Sequence, residues 1–209
     1  MTYRLVFFDV DSTLVTIEGI DVLANGAPEI AALTAAAMNG EIPLDQVYAK
    51  RLDIIKPSRS DVEKLAARYV HALVNGAKET IATLQSAGAV IHLITGGIEQ
   101  AILPLAKSLH VPERNVHAVR LRFDANGAYE DFDRRSFLAR PGGKELVVRD
   151  IRARSHGKSA LVGDGVSDLE AKDAVDLFIG FGGVVVRPLV KENAHIFVTG
   201  FRDILQHLS

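Results

Sequence analysis

The 209-residue chain contains no cysteine. That absence excludes disulfides, thiolate metal sites and every mechanism with a cysteine nucleophile, and it fits a cytoplasmic protein. An excess of charge of one sign is also missing, since 24 basic residues stand against 26 acidic ones for a formal net charge of -2. A phosphate backbone or an anionic membrane demands a concentrated positive face, so neither nucleic acid nor membrane is expected as a partner. Long apolar runs are missing too. The four-residue run Leu5–Phe8 falls far short of a signal-peptide core or the ~20 apolar residues of a membrane span, and no other stretch comes close. Nor is there an internal repeat or a low-complexity segment. What remains is a chain 48% hydrophobic and 24% charged, the composition of a globular protein, with a length suited to one domain or to one domain carrying an insert.

Four short apolar runs read as buried strands, each stopping at glycine or a polar residue: Tyr3–Phe8 before Asp9, Ala89–Ile94 before Thr95, Ser159–Val162 before Gly163, and Asp176–Ile179 before Gly180. Helical patterns such as Ile98–Leu109 and Lys144–Ala153 lie between them. The alternation is that of βαβ units and predicts a doubly wound α/β core around a mainly parallel sheet. Between Thr13 and Gly76 the patterns are helical only, near Ile17–Ala24, Pro28–Met38, Pro43–Ile55 and Arg59–Val70. So long a stretch exceeds a single crossover. It predicts an all-helical cap over residues 15–75, inserted into a core made of residues 1–14 and 76–209. Val116–Phe132 alternates around Asn126-Gly127 and predicts a β-hairpin.

In an open α/β sheet, ligands collect beyond the carboxyl ends of the strands. The polar residues expected there are Asp9, Asp11, Ser12 and Thr13, then Thr95-Gly96-Gly97, then Asp164, Ser167 and Asp168, with Lys144 behind Pro141-Gly142-Gly143. Asp9 and Asp11, one residue apart, share a side of an extended backbone. Taken alone, Asp11-Ser12-Thr13 could equally cap a helix. With Asp164 added, Asp9 and Asp11 make a set of hard oxygen ligands that suits Mg2+. Thr95 and the following glycines offer a hydroxyl and open backbone amides for phosphate, although a plain glycine turn is the alternative. Lys144 adds a fixed cation. Together these are the parts of phosphoryl transfer through an aspartyl-phosphate, with Asp9 as nucleophile and Asp11 as the acid that becomes the base.

The ordered series Asp9-Val10-Asp11-Ser12-Thr13, Thr95-Gly96-Gly97, Lys144 and Gly163-Asp164-Gly165-Val166-Ser167-Asp168 resembles the four motifs of the haloacid dehalogenase superfamily, in its phosphatase branch. Further likenesses at Glu18–Leu23, Ala37-Met38, Arg51-Leu52, Gly142-Gly143-Lys144 and Phe178–Gly183 extend it over nearly the whole chain and bring it closest to the members that hydrolyse O-phosphoserine. The resemblance implies a Mg2+-dependent phosphomonoesterase. Asp9, Asp11 and Asp164 would be metal ligands and Asp168 would order the metal site, while Thr95, Gly96 and Lys144 would hold phosphate with Ser167 near the substrate. In the cap, Glu18 would meet the substrate ammonium, Arg51 its carboxylate, and Met38 would supply an apolar wall. Two positions depart from the pattern: Thr95 replaces a serine and Asn39 a glycine.

The expected partner is a small phosphomonoester, bound by a monomer or homodimer that works in serine biosynthesis. One alternative within the superfamily is a phosphatase or phosphotransferase for another small phosphomonoester. An alternative outside it is a phosphorylatable receiver domain, which chain order opposes, since receivers carry no helical insert after the first strand. The seven histidines show no ligand spacing, and His92 is expected to be a core histidine with a hydrogen-bonded partner.

Overall fold

Every residue from Val6 to Phe8 is withdrawn from solvent, because the strand they form is covered on both faces and flanked on both edges. In the computed structural model, which describes residues 3–38, 41 and 44–208 but not the side chains of residues 37, 38 and 44–46, this strand β1 (Tyr3–Phe8) lies inside a parallel sheet. On one side stand β2 (Val90–Ile98) and β3 (Val116–Val119). The antiparallel pair β4 (Leu121–Phe123) and β5 (Tyr129–Phe132) is separate from that sheet. On the other side of β1 follow β6 (Lys158–Gly163), β7 (Leu177–Phe181) and β8 (Ile196–Val198), giving the order β3-β2-β1-β6-β7-β8. The chain therefore winds outward in both directions from β1, and the crevice of the doubly wound fold opens between the carboxyl ends of β1 and β6.

The expected hairpin around Asn126-Gly127 is present as β4 and β5, while the first four residues of the alternating stretch, Val116–Val119, join the main sheet as β3. The break between β3 and β4 has a visible cause. Gln100 donates to the Leu121 carbonyl at 2.7 Å and accepts from the Leu121 N–H at 3.1 Å, so a side chain takes the hydrogen-bonding place of a strand. Arg120 meanwhile turns outward to Glu99. The sheet also gains β8, a three-residue edge strand with no strand signal in the sequence.

The segment after β1 is helical: α1 (Gly19–Leu23), α2 (Pro28–Met38), α3 (Leu44–Ile55) and α4 (Arg59–His71). Pro28 stands at the first position of α2, where its fixed φ and missing N–H cost nothing. Ser58 caps α4 by accepting from the Asp61 N–H at 3.2 Å, while Asp61 accepts from the Ser58 N–H at 3.1 Å. Val62, Leu65, Ala66 and Tyr69 then form one buried stripe at helical spacing. The helix packs against α6 (Glu99–Ser108), which is preceded by α5 (Ala77–Ser86). The two connections of this helical segment are tied together, because Thr16 N–H donates to the Ala72 carbonyl and Val74 N–H to the Leu14 carbonyl, each at 2.9 Å. Along the rest of the chain lie α7 (Gly143–Ala153), α8 (Val166–Glu170), α9 (Pro188–Asn193) and α10 (Phe201–Leu208). None of the described helices is long and apolar enough to cross a membrane.

Phe7, His92 and His117 stack across β1, β2 and β3 with ring centroids 5.2 and 5.3 Å apart, and the two imidazoles share a hydrogen bond of 3.1 Å. Burial, with the second imidazole adding to it, depresses His92 from 6.5 to about 4, and burial also lowers His117. The folded protein thus binds fewer protons than the unfolded chain between these values, so stability is full above the unfolded pKa and is lost as pH falls through the window. Lowering pH from 7.5 to 5 should therefore reduce the stability that this histidine pair contributes. After allowance for solvent screening, His92 contributes on the order of 1–2 kcal/mol to that change. In thermal scans the melting temperature of the wild type relative to the double variant His92→Gln/His117→Gln should fall as pH is lowered through this window.

Candidate active site

The sequence Asp9–Thr13 follows β1 as a tight turn, not as the cap of a helix. The Val10 carbonyl accepts from both the Leu14 and Val15 N–H groups, and Ser12 adopts a left-handed φ of 51°. That conformation is costly for a residue with a side chain and is held by its surroundings. Asp9 leaves β1 with its N–H bonded to the Val162 carbonyl of β6 at 2.9 Å, which sets it beside the end of that strand, where Asp164 follows. Asp164 is bound on both oxygens, by the Thr13 hydroxyl at 3.0 Å and by Arg187 Nε at 2.9 Å. Asp168, one turn into α8, accepts the Gly165 N–H at 3.1 Å. Gly163 makes this packing possible, since a Cβ there would fall 2.2 Å from the Asp168 Cγ.

Lys144 enters from the first turn of α7, with Gly142 before it in the left-handed conformation. Its ammonium lies 2.8 Å from Asp9 Oδ1 and 2.6 Å from Asp168 Oδ1. Burial works against the charge on Lys144, but the two aspartates prevail and hold it cationic. Asp9, Asp164 and Asp168 bring carboxylate oxygens within 4.8 Å of one another, and among the described residues they form the group able to hold a metal ion. Three buried hard oxygens facing one point are a fitting donor set for a small divalent cation. Asp11, expected among the ligands, is not in that group. Its Oδ1 instead accepts the Gly19 N–H at 3.0 Å and the Tyr69 hydroxyl at 2.7 Å. Burial lifts the Asp11 carboxyl to about 7; the Tyr69 hydrogen bond opposes the rise and the Asp9 charge adds to it.

Beside these acids lies a cavity of about 320 Å³, lined by Asp9, Asp11, Glu18, Arg51, Thr95, Gly96, Lys144 and Ser167 among others. The Thr95 hydroxyl accepts the Gly97 N–H at 2.9 Å, which leaves its own proton free to donate. Glu18 accepts from the Ser12 hydroxyl, and Arg187 Nη2 stands 3.8 Å from it. Burial, with Asp11 adding to it, raises the Glu18 carboxyl well above the usual range. Arg51, on α3, is 4% exposed and donates through Nη1 to Thr34 Oγ1 at 3.1 Å, while its buried Nε has no partner. Met38 ends α2 and Asn39 follows it; the side chain of the first and the whole of the second lie outside the described residues.

Three residues reach the site that were not expected there, Arg187, Tyr48 and Tyr69. Arg187 follows the glycine-rich end of β7, a carboxyl-edge position that could have drawn notice; Tyr48 and Tyr69 sit in ordinary amphipathic helices and carry no local signal. Removing Lys144 would strand buried carboxylates without their cation. Lys144→Met should therefore cost the protein about 3–5 kcal/mol in urea unfolding, read in chelator so that added metal does not compensate.

The sequence profile of the haloacid dehalogenase-like hydrolases matches residues 6–172. Among curated proteins, phosphoserine phosphatase from Bos taurus is 40% identical over 204 residues, covering 96% of this chain and 91% of that one. The chloroplastic phosphoserine phosphatase of Arabidopsis thaliana is 38% identical, covering 97% of this chain and 71% of that one. Among solved structures, a phospho-aspartyl intermediate analogue of phosphoserine phosphatase superimposes with a TM-score of 0.85 at 26% identity over the whole of both chains. Agreement of this extent, over a site whose acids and lysine meet at the carboxyl edge of one sheet, means that the chain belongs to the haloacid dehalogenase-like hydrolases, among their phosphoric monoester hydrolases.

Proposed function

We propose that this hydrolase converts O-phosphoserine to serine and inorganic phosphate through an aspartyl-phosphate on Asp9, with Mg2+ as cofactor. The observation that carries this reading is the lining of one cavity. Asp9, Thr95, Gly96 and Lys144 suit a phosphoryl group, and in the same cavity Glu18 and Arg51 suit an ammonium and a carboxylate. Arg51 adds support of its own, because a buried guanidinium with an unpartnered Nε calls for an acceptor such as a carboxylate. The relatives named phosphoserine phosphatase point the same way. In this reading residues 1–14 and 76–209 are the catalytic core and residues 15–75 the cap, with Met38 as an apolar wall and Ser167 near the substrate. The setting it implies is serine biosynthesis in the cytoplasm.

Asp9 and Asp164, backed by Asp168, would hold Mg2+; Asp11 would join them through its main-chain carbonyl, since Tyr69 and Gly19 occupy its Oδ1 and its Oδ2 is kept for the proton. A bound Mg2+ supplies charge neutralisation to the phosphoryl oxygens. Thr95, the Gly96 backbone and Lys144 would hold the phosphate while a carboxylate oxygen of Asp9 attacks phosphorus in line. The bond from phosphorus to the serine oxygen breaks, and that oxygen takes the proton of Asp11. Water then attacks the aspartyl-phosphate, gives its proton to Asp11, and restores Asp9 as phosphate leaves.

Phosphate release from a panel of small phosphomonoesters, with and without Mg2+ and with both stereoisomers of phosphoserine, tests the reading. Turnover should be fastest with one phosphoserine isomer and vanish in chelator; a flat profile across the panel would remove the amino-acid assignment. Arg51→Ala should raise KM for phosphoserine at least tenfold, since a charge-assisted bond contributes about 1.5–3 kcal/mol, and leave KM for an aryl phosphate nearly unchanged. Asp9→Asn should form no phosphoenzyme detectable by mass spectrometry, whereas Asp11→Asn should form one slowly and lose it slowly.

A further inference from the structure

Tyr69 is wholly buried in α4, yet its hydroxyl is placed on Asp11, 58 residues earlier in the chain. Packing alone would be served by phenylalanine; a buried phenol needs a partner, and here the partner is the Oδ1 of a buried aspartate at 2.7 Å. A second residue is matched to this contact. A Cβ on Gly19 would lie 1.9 Å from the Tyr69 hydroxyl oxygen, so the side chain missing at Gly19 is the space that the hydroxyl occupies. The Gly19 N–H donates to the same oxygen at 3.0 Å. Asp11 Oδ1 is thus fully engaged from the helical segment. Oδ2 lies on the opposite side, next to Gly97, where an added Cβ would stand 3.2 Å from it.

We infer that Tyr69 is a positioning residue for the acid–base step: by fixing Oδ1 of Asp11 it presents Oδ2 alone to the leaving-group oxygen. The inference rests on Asp11 serving as that acid and base. α4 is well placed for the task because it is fastened to the core at both ends. At its start the Arg59 N–H donates to the Gly127 carbonyl at 2.8 Å, and the Arg59 guanidinium lies 5.4 Å from the Phe123 ring centroid. Beyond its far end the Val74 N–H donates to the Leu14 carbonyl at 2.9 Å, next to the turn that carries Asp11. Tyr69 therefore reaches Asp11 from the part of the helical segment least free to swing away, so the aspartate keeps its orientation while substrate comes and goes.

The test separates positioning from packing by the leaving group. Serine alkoxide needs a proton to depart, whereas p-nitrophenolate departs without one, so a misplaced acid slows phosphoenzyme formation from the first and spares the second. Single-turnover rates are measured for the wild-type protein, Tyr69→Phe, Gly19→Ala and Asp11→Asn, each checked for folding by circular dichroism and for its melting temperature. Gly19→Ala displaces the hydroxyl while leaving the tyrosine in place, and so guards against a packing defect peculiar to Tyr69→Phe. In both Tyr69→Phe and Gly19→Ala, formation from phosphoserine should slow by about tenfold or more, with KM changed less than twofold and p-nitrophenyl phosphate within about threefold of wild type. Equal slowing of the two substrates, or no slowing, overturns the inference about Tyr69 provided Asp11→Asn shows the leaving-group difference. If Asp11→Asn shows no such difference, the acid–base reading itself fails and the inference falls with it.

Discussion

Charge balance at the carboxyl edge of the sheet governs the rest of the structure. Four buried aspartates, Asp9, Asp11, Asp164 and Asp168, meet there, and two cations, Lys144 and Arg187, face them. Such a group is stable only if the remaining two charges are matched by protons or by a divalent cation. Hydrogen bonds from Thr13, Gly165, Gly19 and Tyr69 spread the load but do not cancel it. The close approach of Asp168 to Gly163, the left-handed Ser12 and the inward Lys144 in the first turn of α7 are local costs that make sense as ways of gathering these groups.

The parallel sheet is what lets so polar a site exist. β1 and β6 are neighbours, so the residues following each of them converge although their places in the chain are far apart. Both strands are apolar and covered, and they hold their register through backbone bonds and packing alone, leaving the polar groups beyond their ends free of any structural duty within the sheet. Helices α1 to α4 approach the same edge from the outside. They contribute groups the sheet cannot supply, above all Glu18 and Arg51 around the cavity and Tyr69 behind Asp11.

Much of this was legible in the sequence wherever the signal is local. Asp9 and Asp164 follow strands and Thr95 follows the apolar run within β2, so short apolar runs locate them, while Lys144 is marked by the glycines that open α7. The four helices of the inserted segment were legible from their periodicity, α2 with its bounds unchanged. What escaped depends on contacts between distant residues. Tyr69 reads as one more apolar position of an amphipathic stripe until the fold brings it to Asp11. Arg187 reads as a loop cation until it meets Asp164, 23 residues away. β3 does not stand out from the hairpin after it, because alternation continues past Val119; only the side chain of Gln100, in α6, ends the strand there. β8 is too short for its pattern to stand out.

The paired backbone bonds at Leu14–Thr16 and Ala72–Val74 bring the two ends of the helical segment side by side. Geometrically, the whole segment hangs from the core as a closed loop with a narrow neck. Gly19 of α1 and Tyr69 of α4 hold Asp11, and α4 packs on α6, so within that loop it is α2 and α3 that could be shortened, enlarged or replaced without disturbing the acids at the end of β1. Substrate choice in such an architecture can diversify through its two outer helices, while the first and last of the four stay bound to the phosphorus chemistry beneath.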